Sequence, residues 1–226
     1  MNSPRAILFD FSGTLVDDLK TTVVAANHAI RKIAKNANEL TVDQFVEKFH
    51  MPYWDFFQEL GVSPEEAHQR APALFQEAYL KGLDSIALFQ DVKEVLVQMR
   101  KRDFQTGIVS STPRTIIEMI LRKHHSSNLF DVVLGLEDCN ELKPSGKPLL
   151  QAVQRLGRSP SEVAYVGDMD EDVQAADAAG IVPIAIWRER GHYQELDVLT
   201  SSNPPFLVHR LTEILLINWR EGRIEI

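Results

Sequence analysis

The apolar residues Ala6 to Phe9 form a short unbroken run that stops at Asp10 and is followed closely by Ser12 and Gly13. A run of that length closed by a turn signal predicts a strand buried on both faces. From Leu19 to about Gly82 the apolar spacing changes to threes and fours. Val23, Ala26, Ile30 and Ile33 form one stripe, Val42, Phe45, Val46 and Phe49 a second, and Ala67, Ala71, Leu74, Phe75 and Ala78 a third. These stripes predict amphipathic helices. The third opens on Ser63-Pro64-Glu65-Glu66, a capping hydroxyl with proline in the first turn and glutamate three residues on. Beyond Leu88, helical patterns at 91–102, 114–124, 147–156 and 171–179 alternate with apolar runs at 106–110, 131–134, 163–166 and 181–186, and a last helix is expected near 208–219.

Strand–helix alternation with short connections predicts an α/β fold, a Rossmann-like parallel sheet with helices on both faces. The early helical stretch interrupts that alternation. The expected organisation is a core of residues 1–16 and 88–226 with a small α-helical cap domain, residues 17–87, inserted after the first strand. Ligands of open parallel sheets bind beyond the carboxyl ends of the strands. The polar residues that follow the apolar runs are therefore the candidates: Asp10 with Ser12 and Thr14, then Ser110, Ser111 and Thr112, then Gly167, Asp168 and Asp172.

Composition narrows the setting. The 226 residues are 44% hydrophobic and 25% charged, an ordinary globular balance. A net charge of −8 argues against nucleic acid or an anionic membrane as partner. Cys139 is the single cysteine, no apolar run reaches the ~18 residues of a membrane span, and the N-terminus has no signal-peptide succession. A cytoplasmic monomer or homodimer is the expectation.

Asp10-Phe11-Ser12-Gly13-Thr14 resembles the first motif, Asp-x-Asp-Gly-Thr, of the haloacid dehalogenase superfamily. Ile108-Val109-Ser110 resembles its second, an apolar strand ending in Ser or Thr, and Gly167-Asp168-Met169-Asp170-Glu171-Asp172 its fourth, Gly-Asp-x-x-x-Asp. The resemblance covers nearly the whole chain and is nearest to phosphoglycolate phosphatase-like members. It implies a phosphatase of small phosphorylated metabolites in which Asp10 is the nucleophile. It also implies that Asp10, the Ser12 carbonyl and Asp168 hold Mg²⁺, with Asp172 supporting the metal, and that Ser110 orients the phosphoryl group. A carboxylate suits that attack because it is ionised at neutral pH without a base. A hard cation would offset the repulsion between two anions. The third motif is a lysine followed by proline, with Leu-Gly thirteen residues later in related sequences. Leu156-Gly157 stands at that distance from Lys143, so Lys143 is the expected motif residue and Lys147 a solvated helix-start residue. Ser111, Thr112 and, in the cap, His50 are expected substrate contacts. His124 and His125, adjacent in sequence, are expected on the exposed surface rather than as metal ligands.

One position departs from the pattern. Family phosphatases carry an acid–base aspartate two residues after the nucleophile, and here that residue is Ser12. Serine has no accessible pKa with which to replace a group worth roughly 10²- to 10⁴-fold. Four readings follow: a phosphatase with a good leaving group or a borrowed carboxylate (Asp17, Asp18 and Asp170 are near in sequence), a phosphonoacetaldehyde hydrolase-like enzyme using a cap lysine, a metal-free dehalogenase, which Ser12 in place of that branch's aromatic residue supports little, or a catalytically weak phosphometabolite-binding protein.

Overall fold

The computed structural model describes residues 3–34, 38–219 and 221–224. The first strand, β1 (Ala6–Phe9), has no side chain more than 1% exposed. The chain leaves it through a short strand β2 (Val16–Asp17) and returns to it through β3 (Ala87–Leu88), which pair antiparallel. Between β2 and β3 the described residues form five α-helices: α1 (Leu19–Ile33), α2 (Val42–Lys48), α3 (Tyr53–Glu59), α4 (Pro64–Gln69) and α5 (Ala71–Lys81). Two of them begin on side-chain caps. Thr41 accepts from the Gln44 amide at 3.2 Å while the Gln44 side chain takes the Thr41 amide, and Ser63 accepts from the Glu66 amide.

The remaining chain alternates: α6 (Val92–Lys101), β4 (Gln105–Val109), α7 (Arg114–Lys123), β5 (Val132–Leu134), α8 (Lys147–Arg155), β6 (Val163–Gly167), α9 (Asp170–Ala179), β7 (Val182–Ile186), α10 (Leu196–Thr200) and β8 (Phe206–Val208). All six long-range strands run parallel in the order β5-β4-β1-β6-β7-β8. The period-two geometry of β1 divides the interior. Ile7 and Phe9 join one apolar cluster with α6 and α7 (Leu96, Ile117), whereas Ala6 and Leu8 join another with α8 and α9 (Leu149, Ala176). Because β1 lies between β4 and β6, the chain order reverses at β1, and the crevice beyond its carboxyl end is a topological switch point.

Two expectations need correction. The expected helix at 208–219 is absent: residues 206–208 form the edge strand β8, residues 211–216 wind as 3₁₀, and β9 (Ile217–Asn218) pairs with β10 (Arg223–Ile224). Leu211, Ile214 and Ile217 are the buried positions there, a spacing of three that suits a 3₁₀ turn better than a 3.6-residue one. The stripe from Ala67 to Ala78 is likewise two helices rather than one. Pro72, in the first turn of α5, has no amide to continue the ladder from α4, and the chain breaks at Arg70.

Leu8 is fully buried on the α8–α9 side of β1. Leu8→Ala is expected to cost about 2–5 kcal/mol in urea denaturation, the range for a leucine deleted from a packed interior.

Candidate active site

The parallel register brings the candidate residues together. Phe9 is level with Ile108 on β4 and with Val166 on β6, so the three chains leave the sheet side by side. The Asp10 amide donates to the Val166 carbonyl at 2.8 Å, and the Ser110 amide to the Leu134 carbonyl at 3.1 Å. Residues separated by more than 150 positions thereby share one crevice. Thr14 donates to Asp168 Oδ1 at 2.8 Å. Gly13 makes that approach possible: its φ is +71°, and a Cβ there would sit 2.1 Å from Asp168 Oδ2.

Lys143 is the charge centre. Its ammonium donates to Asp10 Oδ1 at 2.6 Å, to Asp172 Oδ1 at 2.5 Å and to the Tyr165 hydroxyl at 3.1 Å. Tyr165 in turn donates to the Val109 carbonyl at 2.9 Å. Lys147, the alternative lysine, is exposed at the start of α8 and pairs with Glu141. Burial alone would pull the Lys143 pKa down, but Asp10 and Asp172 together hold it well above the usual lysine value. Burial pushes the Asp10 carboxyl up to about 6 against the pull of Lys143. Asp168 is raised well above the carboxylate range by burial and by the charges of Asp10 and Asp172.

Asp10, Asp168 and Asp172 bring ligand oxygens within 4.8 Å of one another. Asp168 Oδ2 is buried with no hydrogen-bond partner among the described residues. With all three carboxyl groups ionised against one ammonium, two negative charges would stand in a buried crevice, and buried charge of that kind requires compensation. The donor set is all oxygen, which suits a hard divalent cation. These residues fit a bound metal.

The cavity in front of Asp10 has a volume of about 270 Å³. At its sheet end Ser12, Ser110, Ser111, Thr112 and Lys143 line it beside Asp10 and Asp172; the opposite wall comes from α1, α2, α3 and α5. His50 does not line it. The backbone at Phe49 is extended, so neighbouring side chains point to opposite sides: Phe49 and Met51 face the cavity, and the His50 Nε2 lies 3.3 Å from Glu59 Oε1. His124 is bound to the Ile86 carbonyl at 3.0 Å, and His125 is exposed.

Ser12 has a partner that spacing does not show. Its hydroxyl donates to Asp18 Oδ2 at 2.8 Å and lies 3.3 Å from Thr112 Oγ1. Asp18 is 1% exposed and also accepts from Tyr79 at 2.6 Å and from Tyr193 at 3.0 Å. Burial raises its pKa, partly offset by these three hydroxyl donors. Asp17 is exposed, and Asp170 is engaged by Gln194 and Gln174, so neither approaches Ser12. Of the three carboxylates near Ser12 in sequence, Asp18 is the one that meets it, whereas Tyr165, Tyr79 and Tyr193 went unrecognised in the sequence. The one available signal was a hydroxyl-bearing residue inside the otherwise apolar run at 163–166.

Residues 7–186 match the family model described as haloacid dehalogenase-like hydrolase. The chain belongs to this family. Among curated relatives of this haloacid dehalogenase-like hydrolase is a phosphoglycolate phosphatase of Synechococcus elongatus, 30% identical over 217 residues that cover 93% of this chain and 95% of that one. Another is the pyrophosphatase PpaX of Bacillus velezensis, 26% identical over 94% of this chain and 95% of its own. Solved structures share the fold: a haloacid dehalogenase-like family hydrolase from Streptococcus pneumoniae superimposes with a TM-score of 0.80 at 21% identity, covering 95% of this chain and 98% of that one. A hydrolase from Pseudomonas syringae does so at 0.79 and 19%, covering 97% and 99%. The protein is thus a hydrolase with phosphatase relatives, and no helix among the described residues is long and apolar enough to cross a membrane.

The Ser12–Asp18 contact makes a structural prediction. Ser12→Asp would face one carboxylate with another and remove a donor from Asp18, so thermal or urea unfolding should show a loss of about 1–3 kcal/mol. In the double variant Ser12→Asp/Asp18→Asn the new amide can donate to the new carboxylate, and part of that loss should return.

Proposed function

We propose that this hydrolase is a Mg²⁺-dependent phosphatase of a small phosphate monoester, with Asp10 as nucleophile. The observation that carries the reading is the Asp10–Lys143 contact of 2.6 Å at the mouth of a cavity lined by hydroxyls. Lys143 keeps Asp10 oriented and anionic and adds positive charge where the phosphoryl oxygens arrive. Ser110 donates to a phosphoryl oxygen, and Ser111 and Thr112 extend that cradle towards the start of α7. Asp10, Asp168 and the Ser12 carbonyl would hold Mg²⁺, with Asp172 supporting them through its link to Lys143. The ion, when bound, supplies positive charge that offsets the repulsion between the nucleophile and the phosphoryl group. Residues 17–87 act as the cap, whose closure over the cavity excludes bulk water.

The phosphonate-cleaving alternative needs a lysine from the cap. Lys143 is the one lysine among the described residues lining the cavity, Lys48 is exposed, and Tyr53 occupies the wall where that lysine would stand. Those positions favour the ester.

Two measurements test the proposal. Asp10→Asn should lower Mg²⁺-dependent hydrolysis of a generic phosphate ester by at least about 10³-fold, as expected for loss of a nucleophile; activity that survives would remove Asp10 from that role. Independently of turnover, millimolar Mg²⁺ should raise the melting temperature of the wild type through preferential binding to the folded state. Asp168→Asn should abolish that rise.

A further inference from the structure

The relatives named for phosphoglycolate and pyrophosphate share a demand: a second anionic group beyond the scissile phosphate must be paired when the cap closes. In this cavity the wall facing Asp10 is built from Phe45, Phe49, Tyr53, Phe56, Phe57 and Phe75. Among the described lining residues Lys143 is the single cation, and it is already shared by Asp10 and Asp172. The other charged lining residues, Asp10, Asp172 and Glu171, are all acidic, and Glu171 takes the Met51 amide at 3.1 Å, which ties the cap loop to the core. The hydroxyls of Tyr79 and Tyr193 are turned to Asp18, so their polar ends are engaged. A carboxylate or second phosphate entering this half would be desolvated with no cation to pair it, only neutral donors such as the Tyr53 hydroxyl and the Gln76 amide, at heavy cost.

We infer that the substrate is the phosphate monoester of an uncharged aromatic alcohol, a phenol. The inference rests on the phosphatase reading above and deepens it. Three observations converge. The wall is aromatic, and aromatic rings gain from edge and offset contacts with one another beyond the burial of their area. The volume is right: an apolar cavity of about 150 Å³ accepts benzene, so the 270 Å³ here accommodates one ring with its phosphoryl group. The third observation is Ser12, whose hydroxyl proton is directed at Asp18 rather than into the cavity. A leaving oxygen therefore receives no proton from that position. A phenol ionises near ~10, as tyrosine does, and can depart as the anion, whereas an aliphatic alkoxide cannot leave so readily.

In the first step an Asp10 oxygen bonds to phosphorus, and the bond from phosphorus to the ring oxygen breaks with its electron pair on that oxygen. The phenolate takes its proton from solvent. Water then attacks the phosphorus of the aspartyl-phosphate and loses a proton, the bond to Asp10 breaks, and inorganic phosphate leaves with the carboxylate regenerated.

The test has a binding arm and a turnover arm. By calorimetry in Mg²⁺, wild-type protein should bind benzylphosphonate at least about tenfold more tightly than 3-phosphonopropionate, a difference of about 1.4 kcal/mol. Equal or reversed affinities would overturn the substrate class whether or not turnover is seen. Gln76→Arg, at the exposed rim on α5, should narrow that gap by supplying the missing cation. In turnover, phenyl phosphate should exceed phosphoglycolate and pyrophosphate in kcat/KM, and cyclohexyl phosphate should fall chiefly in kcat, with a smaller rise in KM from the lost ring contacts. Asp10-dependent turnover that favours phosphoglycolate or pyrophosphate sinks the aromatic inference and leaves the phosphatase reading standing. Turnover unaffected by Asp10→Asn sinks that reading instead, while the binding arm still decides the ligand class.

Discussion

Asp10 and Asp172 meet on one ammonium, that of Lys143, at a point where the parallel sheet has removed nearly all water. Much of the site's arrangement follows from that charge balance. Lys143 stays protonated because two carboxylates surround it; Asp10 remains available as an anion because Lys143 offsets its burial; Asp168 is left with an oxygen that no described side chain satisfies. The unsatisfied Asp168 oxygen lies beside two further carboxylates, where a bound cation would supply the missing positive charge. Removing the lysine would strand two buried carboxylates, a costlier event than the loss of a surface ion pair.

The same crevice has a divided character. Its sheet end is polar because strand termini expose amides, hydroxyls and carboxylates there; its opposite wall is aromatic because the helices between β2 and β3 turn phenylalanines towards it. Phe45, Phe49 and Phe56 touch one another with centroids 4.7–5.4 Å apart, so the wall is a packed cluster as well as a surface. Asp18 sits at the seam. It gathers the hydroxyls of Ser12, Tyr79 and Tyr193, which come from the loop after β1, from α5 and from the segment after β7. A carboxylate absent from position 12 is thus present one hydrogen bond away, buried and committed to structure.

The positions of Asp10, Ser110 and Asp168 were legible because a strand buried on both faces must read as an apolar run, and its end is marked by the first polar residue. Lys143 was legible from its distance to Leu156-Gly157, and the Ser63 cap from its own residues. Those features are local, and local patterns survive folding. Which of the three nearby carboxylates meets Ser12 was not legible, because the turn through β2 that brings Asp18 back beside it depends on the pairing of Val16 with Leu88, 72 positions away. Tyr165 escaped for a related reason: in an apolar run it passes for packing, and its hydroxyl acquires meaning when Lys143 arrives over it. His50 lay in the right loop but on the wrong side of an extended backbone, and the 3₁₀ turn at 211–216 imitated a helix because both place apolar residues about one turn apart.

By itself, then, the amino-acid sequence determined the alternation that makes a parallel sheet, the family to which its motifs belong, and the chemical type of each residue at the strand ends. Tertiary structure alone decided which carboxylate meets which hydroxyl and which face of the inserted helices looks into the cavity. The physical reason is range. Periodicity and capping are set by neighbours within a turn or two, whereas charge pairing and the shape of a cavity are set by residues that share only a place in space.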